Sequence, residues 1–178
     1  MGEVAKVLTP LDELGIAKAL ERAYVTLFGH PPPIQVMGVA WAQIALENAH
    51  GKAIWCHNFG NITGVAKESG DYYTLATSEQ TMPGVWERKT MKYAAHGTAE
   101  DGAAAYWRLV TGSHYAGAYG FFVKGDASGA ANELHSLGYF TANPGPIAIS
   151  FGRLYEHFQG KLAAELEPID DDDDLANA

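Results

Sequence analysis

The chain has 178 residues, 47% of them apolar and 11% aromatic, with one cysteine and a formal charge of −9. This length and apolar content suit one folded domain with a sizeable core. The acidic balance argues against a general nucleic-acid binder, which needs a basic face. The lone Cys56 excludes an internal disulfide. No run of about eighteen apolar residues is present, so no membrane span is predicted. Residues 1–30 hold no apolar core of a signal peptide.

Thr9-Pro10-Leu11-Asp12-Glu13 has the chemistry of a helix start, with Thr9 as the capping residue, Pro10 at the first position and acids in the first turn. Leu14, Ala17, Leu20, Tyr24 and Leu27 then recur at helical spacing, which predicts an amphipathic helix to about Phe28, closed by Gly29.

Pro31-Pro32-Pro33 precedes a stretch from Ile34 to about residue 50 that is apolar on almost every side. Such a helix is usually buried at the middle of a domain, and Gly51 stands where a left-handed cap would end it. Its one carboxylate, Glu47, falls near the C-terminal end, on a face shared with Ala40 and Ile44. Burial and the negative end of the helix dipole both disfavour an ionised carboxyl there. Both therefore push Glu47 toward the protonated form that a general acid needs. A glycine- and asparagine-rich loop follows, Cys56-His57-Asn58-Phe59-Gly60-Asn61-Ile62-Thr63-Gly64, suited to forming one wall of a cleft. Cys56 and His57 raise the question of a thiol nucleophile. Adjacent side chains rarely meet productively, so Cys56 is read as a small buried hydrophobe.

Tyr72–Thr77 and Val85–Tyr93 are rich in strand formers and are separated by the turn signal Pro83-Gly84. They predict a small antiparallel region of two or three short strands. Thr98-Ala99-Glu100-Asp101 opens a further helix to about Val110, with Thr98 as its cap. Gly112 to Gly117 reads as a loop carrying His114. Asp126 caps a short helix through Leu137 that Gly138 ends. A last helix, roughly Ile147 to Leu166, is expected to bury Ile149, Leu154, Tyr155 and Phe158. The domain is expected to span 1–167. The tail 168–178, with five consecutive aspartates from Asp170 to Asp174, is predicted to be disordered.

Several of these segments resemble one known family. Ala45-Leu46-Glu47-Asn48-Ala49-His50-Gly51-Lys52 is similar to the "ALESGWGKS" signature of the bacterial N-acetylglucosaminidases of glycoside hydrolase family 73, the flagellar and autolysin type. Asn58 to Gly64 is similar to their "NLFGIKG", and Gly138-Tyr139-Phe140-Thr141 to their "GYATDPNY". The resemblance covers about residues 30–160 and departs in detail. Asn48-Ala49-His50 replaces Ser-Gly-Trp, Asn143 replaces an Asp, and the family's arginine before a tyrosine is missing near Tyr93.

The resemblance implies an α+β, mainly α, lysozyme-like fold: a central buried helix facing a small antiparallel β-lobe across a cleft. It implies peptidoglycan glycan strands as substrate, with cleavage of a β-1,4 bond between N-acetylated amino sugars. Glu47 matches the family's catalytic acid, and Tyr139 its active-site tyrosine. Glu79, in Thr77-Ser78-Glu79 ahead of Trp86, matches its second acid, with Glu87 and Asp71 as alternatives. Asn58, Phe59, Gly60, Trp86 and His114 are the expected substrate contacts. No cofactor and no metal are implied. Action is expected in the periplasm or at the cell wall. A lytic transglycosylase, a muramidase, or a lysozyme-like protein that binds glycan or a partner without cutting stays open. The net charge offers no attraction to anionic wall polymers, so local contacts must hold any such substrate.

Overall fold

The structure, a computed structural model, describes residues 1–82 and 85–166, except the side chains of 77–82, 85 and 86. The Pro83-Gly84 turn, the acidic tail and the tail's boundary at residue 167 lie outside the described residues. The chain forms α1 (Glu13–Phe28), α2 (Ile34–Glu47), β1 (Tyr72–Met82), β2 (Val85–Ala94), α3 (Ala99–Val110), α4 (Ala116–Lys124), α5 (Ala127–Ser136) and α6 (Pro144–His157). A single 3-10 turn, Ser113–Tyr115, leads into α4. A π-turn, Phe158–Leu162, and a 3-10 turn, Ala163–Glu165, continue α6.

Helix α2 is the axis of the molecule. Every residue from Val36 to Ala45 is buried, and the helix packs against α1, α4, α5 and α6. No face of α2 is left for water, which is what its nearly continuous apolar sequence demands. Trp41 anchors it to α1 through an indole N–H donated to the Glu13 carbonyl at 3.0 Å. Trp107 of α3 likewise donates to the Leu20 carbonyl at 2.8 Å.

Helix ends differ from the expectation in two places. Asp12, not Thr9, caps α1, its carboxylate accepting from Gly15 N at 2.6 Å. Thr9 instead serves the loop after α2, its hydroxyl accepting from His57 N at 2.8 Å. Helix α2 stops at Glu47, and the chain then turns through three left-handed residues, Ala49 (φ 48°), His50 (φ 57°) and Gly51 (φ 84°). Gly51 is left-handed as expected, but it lies beyond the helix end and does not cap it. Thr98 and Asp126 cap α3 and α5 through backbone N–H groups three residues on, as expected.

Helix α4 was not foreseen, because glycines at 112, 117 and 120 give its sequence the look of a loop. Its buried Ala118 and Phe122 pay the helix back in packing against α2 and α5. Along α6 and the turn that continues it, Phe158 is buried and Leu154 and Tyr155 pack against the core as expected, but Ala148 and Phe151 face inward where Ile149, at 59% exposed, does not.

Strands β1 and β2 form one antiparallel hairpin, pairing Tyr72 with Ala94, Leu75 with Met91 and Glu79 with Glu87, with an irregularity between Gln80 and Met82. Both strands are longer than the expected short ones. Among the described residues, the backbone bonds that fasten this hairpin to the body all lie at its root. Ala94 N donates to Ile62 O at 2.9 Å, Gly64 N to Lys92 O at 2.9 Å, and Val4 N to Tyr72 O at 2.8 Å.

Candidate active site

The end of α2 opens into a groove of about 650 Å³. Glu47 forms its floor. Tyr73, Leu75, Met91 and Tyr93 of the hairpin form one wall, and Tyr115, Tyr139 and Phe140 the other. Glu47 is half-buried, and its side chain follows directly from the point where α2 ends. Burial raises its carboxyl above the ordinary 4.5, and a hydrogen bond from Asn61 draws it part of the way back. The Asn61 amide donates to Glu47 Oε2 at 2.8 Å. Among the described side chains, Glu47 is the one carboxylate lining this groove.

The loop 58–64 is rigidly built to deliver Asn61. Buried Asn58 donates to the carbonyls of Ile62 (2.9 Å) and Ala94 (3.0 Å) and accepts from Ile62 N at 2.7 Å. Buried Asn48, the residue after Glu47, donates to Phe59 O at 2.7 Å. Phe59 is fully buried in the core. Asn61 takes a left-handed φ of 47°, which asparagine tolerates better than most residues. Behind the loop, Gly102 of α3 has no room for a side chain. A Cβ there would strike the backbone carbonyl of His57.

Tyr139 closes the other wall. Its hydroxyl donates to Gly60 O at 2.8 Å, and its ring meets Tyr115 edge-on at 5.5 Å. Burial first, then the Glu47 charge and Tyr115, hold the Tyr139 hydroxyl well above the usual phenol range. It is a neutral hydrogen-bond donor at any working pH. One turn before Glu47, buried Gln43 accepts from the Tyr106 hydroxyl at 2.8 Å, a polar pair deep under the site. Across the groove, Tyr73 and Tyr93 stack at 5.6 Å. Aromatic walls of this kind suit sugar rings, whose C–H faces pack on π-systems while their hydroxyls stay wet.

The structure thus brings together Glu47, Gly60 and Tyr139 from the expected set. Asn58 and Phe59 are set behind the loop with their side chains buried, so their part is to shape it, not to touch a ligand. His114 is exposed, its Nε2 beside Leu137 O at 3.0 Å, and it lines a neighbouring lobe rather than the Glu47 groove. The side chains of Glu79 and Trp86 lie outside the described residues. Position 79 is in phase with Tyr73 and Leu75 along β1, and it lies about 13 Å further along the strand than Leu75. Glu87, its cross-strand partner, is exposed. Asp71 accepts from Gly2 N at 3.0 Å and lines a separate pocket. The Cys56 thiol lines that same pocket, accepting from Val7 N at 3.4 Å and facing away from Glu47. Sequence reading missed Asn61, Gln43, Tyr106 and Tyr115. Gln43 carried a usable signal, as the one polar residue of the buried run from Val36 to Ala45, four positions before Glu47.

A deep helix ending in a protonatable glutamate, faced across a groove by a β-hairpin, is the arrangement of a lysozyme-like fold. Solved structures share the fold. A peptidoglycan hydrolase from Sphingomonas sp. A1 superposes with a TM-score of 0.61 at 21% identity, covering 85% of this chain and 96% of that one. The catalytic domain of the autolysin Auto from Listeria monocytogenes gives 0.59 at 20% identity, over 86% and 88% of the two chains. A glycoside hydrolase domain from Salmonella typhimurium FlgJ gives 0.55 at 18% identity, over 84% and 99%. No protein-family model and no curated protein sequence matches the chain. The fold is therefore that of these hydrolases.

Proposed function

We infer that this protein is a peptidoglycan hydrolase of the N-acetylglucosaminidase type, in the family that its motifs resemble. The observation that carries the reading is Glu47: a half-buried carboxyl with a raised pKa on the floor of an aromatic-walled groove. In this role the protonated Glu47 gives its proton to the glycosidic oxygen as the C–O bond breaks, leaving an oxocarbenium-like sugar. Asn61 fixes the direction of the carboxyl through its hydrogen bond to Oε2. Tyr139 holds the loop by Gly60 O and offers its ring to a sugar face.

Glu79 is the proposed second carboxylate, with Glu87 paired beside it on the same strand register. It would activate water, for which the two carboxyls stand roughly 6.5–9.5 Å apart in the reacting complex. Single-acid chemistry is the second reading, favoured by the presence of Glu47 alone among the described carboxylates in the groove. In that case the substrate's own oxygen completes the reaction, as in a lytic transglycosylase.

Peptidoglycan as substrate also places the action in the periplasm or at the cell wall. Among the described residues no helix is long and apolar enough to cross a membrane. The deciding experiment digests purified peptidoglycan and identifies the new ends by mass spectrometry. Reducing N-acetylglucosamine ends support the proposal. Reducing muramic ends would make it a muramidase, and anhydro ends a transglycosylase. No new ends, with retained strand binding, would overturn cleavage altogether.

A further inference from the structure

A second hollow of about 460 Å³ adjoins the Glu47 groove and shares Ile62, Thr63, Leu109 and Tyr115 with it as a common wall. Its lining differs in kind from the aromatic groove. Lys67, Arg108 and His114 bring three basic groups to it. The one acid there, Glu68, is hydrogen-bonded to His96 Nδ1. Lys67 and Arg108 are exposed, and among the described residues neither has an ion-pair partner. In a chain of net charge −9 such a local excess of positive charge, set in a concave surface, points to an anionic ligand. The two spaces adjoin along these shared residues, so one branched ligand can reach from the groove into the lobe.

We propose that this lobe binds the peptide substituent of the glycan strand, with Arg108 receiving a peptide carboxylate while the sugars occupy the groove over Glu47. The inference rests on the reading of the groove as a peptidoglycan site. A glycan without peptides carries only lactyl carboxylates, held close against its sugars, and lacks the carboxylates that would reach Lys67 and Arg108 while the sugars fill the groove. A short peptide branching from a sugar carries carboxylates at a fixed reach from the backbone of the strand. The guanidinium is a planar two-pronged donor matched to a carboxylate, and such charge-assisted pairs are stronger than neutral ones. The apolar part of the lobe, Val65, Ala66 and Leu109, suits small alkyl side chains between those charges. Arg108 stands outside the residues lining the Glu47 groove, so it affects which strand is held and not how the bond is broken.

The test uses two soluble substrates: glycan strands with their peptides, and the same strands freed of peptide by an amidase. The amidase frees a lactyl carboxylate as it removes each peptide, so the freed strands still carry negative charge close to the sugars and the comparison isolates carboxylates at the reach of the peptide. Wild type, Arg108→Ala and Arg108→Lys are compared in kcat and KM on both. The expected KM of wild type is about tenfold lower for peptide-bearing strands, and added salt narrows the gap. Arg108→Ala is expected to raise that KM to the value for freed strands, with kcat and the freed-strand KM unchanged. Arg108→Lys falls between. An unchanged ratio of the two KM values in Arg108→Ala overturns the lobe's role while leaving the hydrolase reading intact. If neither strand is cut, the hydrolase reading fails on its own, and co-sedimentation with insoluble strands still decides the lobe. There, equal binding of peptide-bearing strands by wild type and Arg108→Ala overturns it. An Arg108 effect seen only on walls that carry phosphodiester polymers would assign the lobe to phosphate and overturn the peptide assignment.

Discussion

The side-chain amide of Asn61 donates to Glu47 Oε2 at 2.8 Å, from a residue held in a left-handed backbone conformation. This bond stabilises the ionised carboxylate, against the burial that opposes it. The protonation of Glu47 is thus balanced between burial and an amide that a tight loop brings to it from 14 residues along the chain.

Removing the amide tilts that balance. Asn61→Gly suits the left-handed backbone and takes away the donor. The Glu47 carboxyl then moves higher, and the alkaline limb of the kcat–pH profile moves to higher pH with it. A profile superimposable on that of wild type would show that the bond does not tune the acid.

Glu47→Gln keeps the shape of the side chain and cannot supply the proton. Hydrolysis should fall by ~10²–10⁴-fold, the usual contribution of general acid catalysis. The same change should stabilise the fold at neutral pH. A carboxyl whose folded pKa is raised contributes its stability below the unfolded pKa and loses it as pH rises through the folded one. Melting curves should therefore show the variant above wild type at pH 7 and level with it near pH 4. A variant less stable than wild type at pH 7 would contradict the raised pKa.

Tyr139→Phe leaves the ring and removes the bond to Gly60 O. About 1 kcal/mol of stability should be lost, the ordinary worth of such a bond. Turnover should drop ~10-fold or more, because small shifts of positioned groups are costly in rate. A loss of stability with turnover intact would show that the loop holds Glu47 and Asn61 in place without it.

Glu13 joins three elements. Its Oε1 meets His50 Nδ1 and its Oε2 meets His157 Nε2, each at 2.8 Å. Burial raises the Glu13 carboxyl, but the hydrogen bonds to His157 and His50 outweigh it, so the net shift is downward from 4.5. A lowered pKa stabilises above the unfolded value and is lost as pH falls through the folded one. Glu13→Gln should therefore melt below wild type at pH 6, and the difference should shrink below pH 4.5. Parallel melting curves at both pH values would show that the carboxylate does not bind this corner together.

Much of the fold was legible because two strong signals agreed. The nearly continuous apolar run of α2 has only one stable location, and the caps Thr98 and Asp126 mark helix starts by local chemistry. Glu47 stood out as a charge where none belongs. What escaped was tertiary. Helix α4 forms because Ala118 and Phe122 find a buried surface, which overrides its glycines. Asn58 looked like a ligand contact because polar loop residues often are; here its polarity is spent on the loop's own backbone. Thr9 has the right chemistry for a cap, but a long-range bond to His57 N claims it. No local pattern announces partners that lie so far along the chain.

A hairpin whose backbone bonds to the body, among the described residues, lie at its root acts as a cantilever. From Tyr72 to position 79 is about 23 Å of strand, so a rotation of about 10° at the base carries the far end through roughly 4 Å. The hinge of that arm is the pair of bonds that Ala94 and Gly64 make with Ile62 and Lys92. Ile62 is also clasped by Asn58, in the same loop that carries Asn61 to Glu47. A disturbance at the floor of the groove is thereby geared to the tip of the arm, and changes at Ile62 or Ala94 would be felt at a distance by residues they never touch.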